Sequence, residues 1–173
     1  DYVIIMPASG KLTQQAERLA ALHRQHSGLK VKVVRADQLY NEFSSGTPDA
    51  NAYRRYLKML YDRADDRNAA PRYLLFLGKS SWDNRFLTED WKRENPDDYL
   101  LAYEADASSY SIGTVNSYTT DDFFALLDDG EGEAIEHEKP DVATGRMTAI
   151  TNEQAKVLVD KVERYLRNED AGD

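Results

Sequence analysis

Five consecutive bulky side chains, Tyr73-Leu74-Leu75-Phe76-Leu77, closed by Gly78, restrict the folds open to this 173-residue chain. A strand turns successive side chains to opposite faces, so a short run without polar interruption predicts a strand covered on both faces. Sheets covered on both faces are characteristically parallel, and parallel strands need a crossover to connect them. The rest of the sequence supplies those crossovers.

The first apolar run, Val3-Ile4-Ile5-Met6, ends at Pro7-Ala8-Ser9-Gly10 and predicts a buried parallel strand followed by a turn. Leu12, Ala16, Leu19, Ala20 and His23 then recur at helical spacing, in a helix expected to end near Gly28. Val31, Val33 and Val34 predict a second strand. Asp37 is the expected cap of a short helix carrying Leu39, Tyr40 and Phe43. Thr47-Pro48 predicts a further helix start, because proline at the first helical position lacks only an N–H that would be unpaired there. Tyr53, Tyr56, Leu57, Leu60, Tyr61 and Ala64 trace its face, with Arg63 and Arg67 near a carboxyl end where cations suit the helix dipole.

After the central strand, residues 79–98 read as a long loop with at most one helical turn. Segments 99–103 and 123–127 predict strands. Asp128-Asp129-Gly130-Glu131-Gly132 predicts the turn of a hairpin, since glycine accepts positive φ. A strand from Asp141 to Met147 follows. Thr151 and Gln154 then stand at capping-box spacing before a helix whose apolar face carries Ala155, Leu158, Val159, Val162, Tyr165 and Leu166. The pattern predicts one α/β domain over residues 1–173. It is a three-layer sandwich with a mainly parallel sheet, helices on both faces and an antiparallel hairpin at one edge.

The formal net charge of −9 repels phosphate backbones and anionic lipid, so nucleic acid is not an expected partner. No apolar run is long enough to span a bilayer, so membrane insertion is not expected. The 173 residues contain no cysteine, which excludes disulfides, zinc–thiolate sites and a thiol nucleophile among them. A first residue Asp1 followed at once by a strand predicts a segment of a longer polypeptide.

Gly78-Lys79-Ser80 follows a strand, but a phosphate-binding loop needs another glycine where Tyr73 stands. Ser80 and Ser81 belong to no nucleophile elbow. His23 and His26 have metal-compatible spacing but no acidic or thiol partner nearby; the expectation is a partly buried His23 and a solvent-facing His26. His137, in the acidic segment 133–138, is expected to be exposed. Asp121, Asp128, Asp129, Glu131 and Asp141 fall within the predicted hairpin and following strand. Carboxylates gathered there could bind a hard cation such as calcium or form a solvated turn.

In order along the chain, four segments resemble the gingipain-type cysteine peptidase family. They are residues 40–50, residues 73–78 with Trp82-Asp83-Asn84-Arg85, residues 118–124 with 127–132, and residues 141–147 with the helix through Val162, Tyr165, Arg167 and Asn168. Within the family the chain is most similar to the sortase of type IX secretion. The resemblance implies the amino-terminal, non-catalytic subdomain of a two-subdomain peptidase whose catalytic histidine and cysteine both lie in the second. It further implies an exported protein of the bacterial surface that cleaves carboxyl-terminal signals from cargo proteins. The implied partners are the second subdomain and that cargo. It also implies a structural calcium site, with Asp121, Asp128 and Asp141 as ligands. Two other readings remain: a small-ligand module using the sheet's carboxyl edge, and a non-catalytic interaction domain of a surface protein.

Overall fold

The run at 73–77 is the inner strand β3 (Tyr73–Leu77) of a four-stranded sheet. In this computed structural model, which describes residues 1–66, 68–105 and 118–169, the sheet also contains β1 (Tyr2–Met6), β2 (Val31–Arg35) and β6 (Ala143–Met147). Their spatial order is β2-β1-β3-β6 and every pairing is parallel. Ile4 lies beside Val33 on one side and Leu75 on the other, and Leu75 lies beside Gly145.

Helices α1 (Thr13–His26), α2 (Ala36–Phe43), α3 (Asn51–Asp62) and α4 (Asn152–Leu166) connect and cover these strands. Alternation along each strand divides the core in two. Val3, Ile5, Leu74 and Phe76 pack with Leu39, Tyr40, Tyr53 and Leu57 of α2 and α3. Ile4, Met6, Leu75 and Leu77 pack with Leu12, Ala16, Leu19, Ala155 and Val159 on the α1 and α4 side. This is the expected three-layer arrangement, and it explains the unbroken apolar run of β3: neighbouring side chains each have a separate core to enter. Tyr73 is the exception, 41% exposed at the start of the strand.

The antiparallel element differs from the expectation. It is a separate two-stranded sheet of β4 (Tyr103–Ala105) and β5 (Tyr118–Thr120). Segment 123–127 does not form a strand; residues Asp122–Ala125 form a 3-10 turn that buries Phe123, Phe124 and Ala125. Phe124 meets Phe76 at 5.0 Å and Tyr53 at 5.6 Å between ring centroids, so the run is apolar because it plugs the α2/α3 core. Segment 128–132 is accordingly not a hairpin turn but a loop bound to α3. Arg54 Nε donates to Leu126 O at 2.7 Å and Arg54 Nη2 to Glu131 O at 2.8 Å.

Helix boundaries show smaller corrections. Helix α2 begins at Ala36, and Asp37 in its first turn pairs with Arg35 instead of capping it. Helix α3 begins at Asn51, three residues after Pro48, with Asp49 accepting the Asn51 N–H at 2.9 Å. Arg63 ends that helix; Arg67 lies outside the described residues. At α4 the capping box forms as expected, Thr151 Oγ1 accepting the Gln154 N–H at 3.2 Å and Gln154 Oε1 the Thr151 N–H at 3.2 Å. Tyr165 leaves the apolar face and is 82% exposed. Among the described residues no helix is long and apolar enough to cross a membrane.

Candidate functional site

Ligands of open α/β sheets bind beyond the carboxyl ends of the strands, where neighbouring connections leave in opposite directions. Here that place lies between β1 and β3, and the chain's own loops close it. Ser9 N–H donates to Asp97 O at 2.8 Å, and the Lys11 ammonium reaches Asp98 at 2.6 Å. A Cβ on Gly78 would stand 2.9 Å from Pro7 Cγ and 3.0 Å from Leu100 Cδ1, so glycine is required by the close approach of these segments. Burial pushes the Asp98 carboxyl up, but hydrogen bonds from Lys11 and Ser9 outweigh that and hold it below its ordinary value. The loop from β3 thus places a carboxylate beside the turn where a nucleotide-binding domain would hold a phosphate, against the small-ligand reading.

The rest of that loop is rigidly built. Asp83 accepts the Thr88 N–H at 2.7 Å and the Arg85 N–H at 3.2 Å, and these backbone donors lower its pKa. Ser81, buried, accepts the Asp83 N–H at 2.8 Å, a turn-stabilising role and not that of a nucleophile. Phe86, Trp91 and Tyr99 form a local triad with centroids 5.2–5.7 Å apart. Trp82 and Leu87 are left 57% and 66% exposed.

The structure separates the three predicted metal ligands. Asp121 is taken by Arg146, whose Nε and Nη2 donate to its two oxygens at 2.9 and 2.6 Å. Asp128 and Asp141 do come together, and Glu131 joins them: one oxygen from each lies within 4.8 Å of the others. Tyr61 supports the corner, its hydroxyl donating to Asp128 at 3.0 Å and lying 3.5 Å from Asp141. Asp141 also accepts the Leu127 N–H at 2.8 Å, and Glu131 the Asp128 N–H at 3.0 Å. These bonds orient all three carboxylates while leaving lone pairs free. The donors are hard, mutually repulsive oxygens, with Asp128 exposed and Glu131 and Asp141 half-buried, so the group fits a hard divalent cation and could hold a metal ion. Lys58 sets a limit on that charge, binding Asp129 at 2.8 Å and donating to Leu127 O at 3.0 Å.

Sequence reasoning missed Arg146 and Tyr61. Arg146 sits in an unremarkable strand pattern, and Tyr61 reads as one more apolar position of α3. His23 is half-buried, edge-on to Tyr2 with centroids 5.0 Å apart, and burial lowers its pKa; His26 and His137 are exposed.

All of the chain, residues 1–173, matches the model of peptidase family C25. Among solved structures it is similar to dimeric latent PorU from Porphyromonas gingivalis, with 38% identity and a TM-score of 0.81. That match covers 95% of this chain and 15% of the PorU chain. The complex of pro- and mature domains of RgpB from the same organism matches at 18% identity and a TM-score of 0.59, over 95% of this chain and 28% of that one. The Arg-specific cysteine proteinase gingipain R (RgpB) matches at 16% identity and a TM-score of 0.56, again over 95% and 28%. At these identities the RgpB structures show a shared fold. No curated protein sequence matches. The chain belongs to peptidase family C25. It spans 15% of the length of the PorU chain it matches.

Proposed function

We propose that this chain is the amino-terminal, supporting subdomain of an exported cysteine endopeptidase or transpeptidase at the bacterial surface. The whole protein would act as a sortase of type IX secretion, cleaving carboxyl-terminal signals from cargo proteins. The observation that carries this reading is the similarity to PorU across 95% of a chain that contains no cysteine. A C25 peptidase fold without a thiol must obtain its nucleophile from another segment. What these residues contribute is a stable wall: a sheet with two cores and a stiff loop at its carboxyl end, against which catalytic loops are held in place. Calcium is the cation assigned to Asp128, Glu131 and Asp141, where it would tie the loop after Leu127 to the segment entering β6.

Incubating the longer polypeptide with a cargo protein bearing a carboxyl-terminal signal, then measuring product masses, tests the reading. The expected result is one cut near the carboxyl end of the cargo, abolished by thiol-directed reagents. Cuts scattered through the cargo would indicate a general peptidase. A longer polypeptide without a cysteine and without cleavage would leave the non-catalytic interaction domain as the correct reading.

A further inference from the structure

Tyr40 and Tyr53 are buried phenols with one more hydroxyl hydrogen than their surroundings accept. Tyr53 is 0% exposed, and its oxygen accepts the Leu101 N–H at 3.3 Å. The two hydroxyls bond to each other, which uses one of their two hydrogens. Leaving the second on Tyr53 would strand a donor in the sealed core, so the bonds run from Leu101 to Tyr53 and from Tyr53 to Tyr40. The Tyr40 hydrogen then has no acceptor among the described residues. Burial, followed by the Tyr53 hydroxyl and the Asp97 and Asp49 carboxylates, pushes the Tyr40 pKa far up, so the phenol keeps that hydrogen and remains a donor.

Tyr40 lines a pocket of about 330 Å³ at the carboxyl end of the sheet, near the lower end of the range for ligand pockets. Its apolar walls include Pro48, Phe86 and Leu101. Phe86 has φ 55°, a region that bulky residues rarely enter. Its N–H is tied to Asp83 O at 3.1 Å, and its ring packs against Trp91 and Tyr99, so the surrounding loop holds this strained backbone and keeps the ring in the wall. The exposed Arg85 and Asp97 line the same pocket, and neither side chain has a charged partner among the described residues.

We propose that this pocket is a peptide-binding subsite, taking an apolar side chain from an extended, uncharged stretch of polypeptide whose carbonyl accepts the Tyr40 hydrogen. The polar groups select this ligand class. Tyr40 offers a donor, Arg85 only donors and Asp97 only acceptors, which answers the alternating carbonyl and N–H groups of a peptide backbone. An anionic group at Tyr40 would be repelled by Asp97 and Asp49, and an ammonium would set donor against donor. That the peptide belongs to cargo rests on the proposed peptidase reading; the pocket and its hydrogen-bond order do not.

Amide NMR titration of the 173-residue chain, and of the longer polypeptide with its thiols blocked, tests the proposal with two acetylated, amidated tripeptides, Gly-Leu-Gly and Gly-Gly-Gly. The leucine peptide should shift the Leu101 and Phe86 amides saturably in both proteins, Leu101 because its bond is polarised through Tyr53 by the group Tyr40 donates to. Triglycine should bind about tenfold more weakly, having no side chain to bury. Tyr40→Phe should weaken binding of the leucine peptide about tenfold. Asp97→Ala, at an exposed position, should weaken it about threefold with the melting temperature unchanged, and it decides the matter should Tyr40→Phe not fold. No saturable shift, equal binding of triglycine, or unchanged binding by Asp97→Ala or a folded Tyr40→Phe chain would overturn the proposal. Free leucine binding more tightly than the blocked peptide would overturn it in favour of an amino-acid site. Binding by the chain but not by the longer polypeptide would overturn it by showing that another part of the polypeptide fills the pocket. Failure of the peptidase reading is separately visible: a longer polypeptide that binds the leucine peptide at these amides, yet unblocked hydrolyses nothing, sustains the subsite without the enzyme.

Discussion

Arg146 and Asp121, 25 residues apart in sequence, are joined through both terminal atoms of the carboxylate, with Nε to Oδ2 at 2.9 Å and Nη2 to Oδ1 at 2.6 Å. Their side chains are 12% and 22% exposed, and Arg146 also donates to Gly78 O, so the pair ties β6, the end of β3 and the turn at 122–125 together. Asp121→Ala should destabilise the chain by about 2 kcal/mol, since it leaves a mostly buried guanidinium without its carboxylate partner. Urea denaturation measures this. An unchanged midpoint would show that the pair is spectator geometry.

Calcium should raise the melting temperature by mass action, and Glu131→Gln should diminish that increment while Asp121→Asn leaves it intact. The contrast follows from geometry, because Glu131 stands with Asp128 and Asp141 while Asp121 is held by Arg146. Differential scanning calorimetry with calcium, and with magnesium at equal ionic strength, checks the pair of variants. Equal increments from the two ions would mean a solvated acidic corner.

Leu75→Asp should prevent folding. Leu75 is 6% exposed between Ile4 of β1 and Gly145 of β6, facing the α1/α4 core, where a carboxylate would lose most of its hydration. The expected cost, above about 4 kcal/mol, is a large part of the stability of a domain this size. Circular dichroism of the purified variant should show the loss of cooperative unfolding.

Stability should fall on acidification in two stages. Burial lowers the His23 pKa, so its contribution is complete above the ordinary imidazole value of 6.5 and is lost as pH falls through that value toward the lowered one. Asp83, Asp98, Asp160 and Glu163 are also held below their ordinary values, and their contributions are lost at lower pH, as it falls through the ordinary carboxylate values toward the lowered ones. His23→Phe, which keeps a ring against Tyr2, should flatten the first stage and leave the second. Denaturation midpoints measured across the pH range separate the two.

The sheet was legible in the sequence because β1 and β3 are buried on both faces, so strand identity and environment gave the same signal. The α4 capping box was legible for a similar reason: two residues three apart carry the whole motif. The apolar segment 123–127 misled because burial alone does not distinguish a strand from a tight turn packed between aromatic rings, and only the position of Tyr53 and Phe76 decides it. The candidate metal corner was legible in part. Composition gathered the acidic residues, but which of them face one another depends on Tyr61 and Arg146, distant partners that no spacing rule reveals.

We propose that these 173 residues support catalysis without performing it. The most direct test is a peptide-hydrolysis assay on the rigorously purified chain and on the longer polypeptide, each with and without a thiol-directed reagent. The account predicts no turnover by the chain alone, which has no cysteine, and reagent-sensitive turnover by the longer polypeptide. Turnover by the chain alone, or a folded longer polypeptide that holds its cysteines reduced and still cleaves nothing, would contradict it.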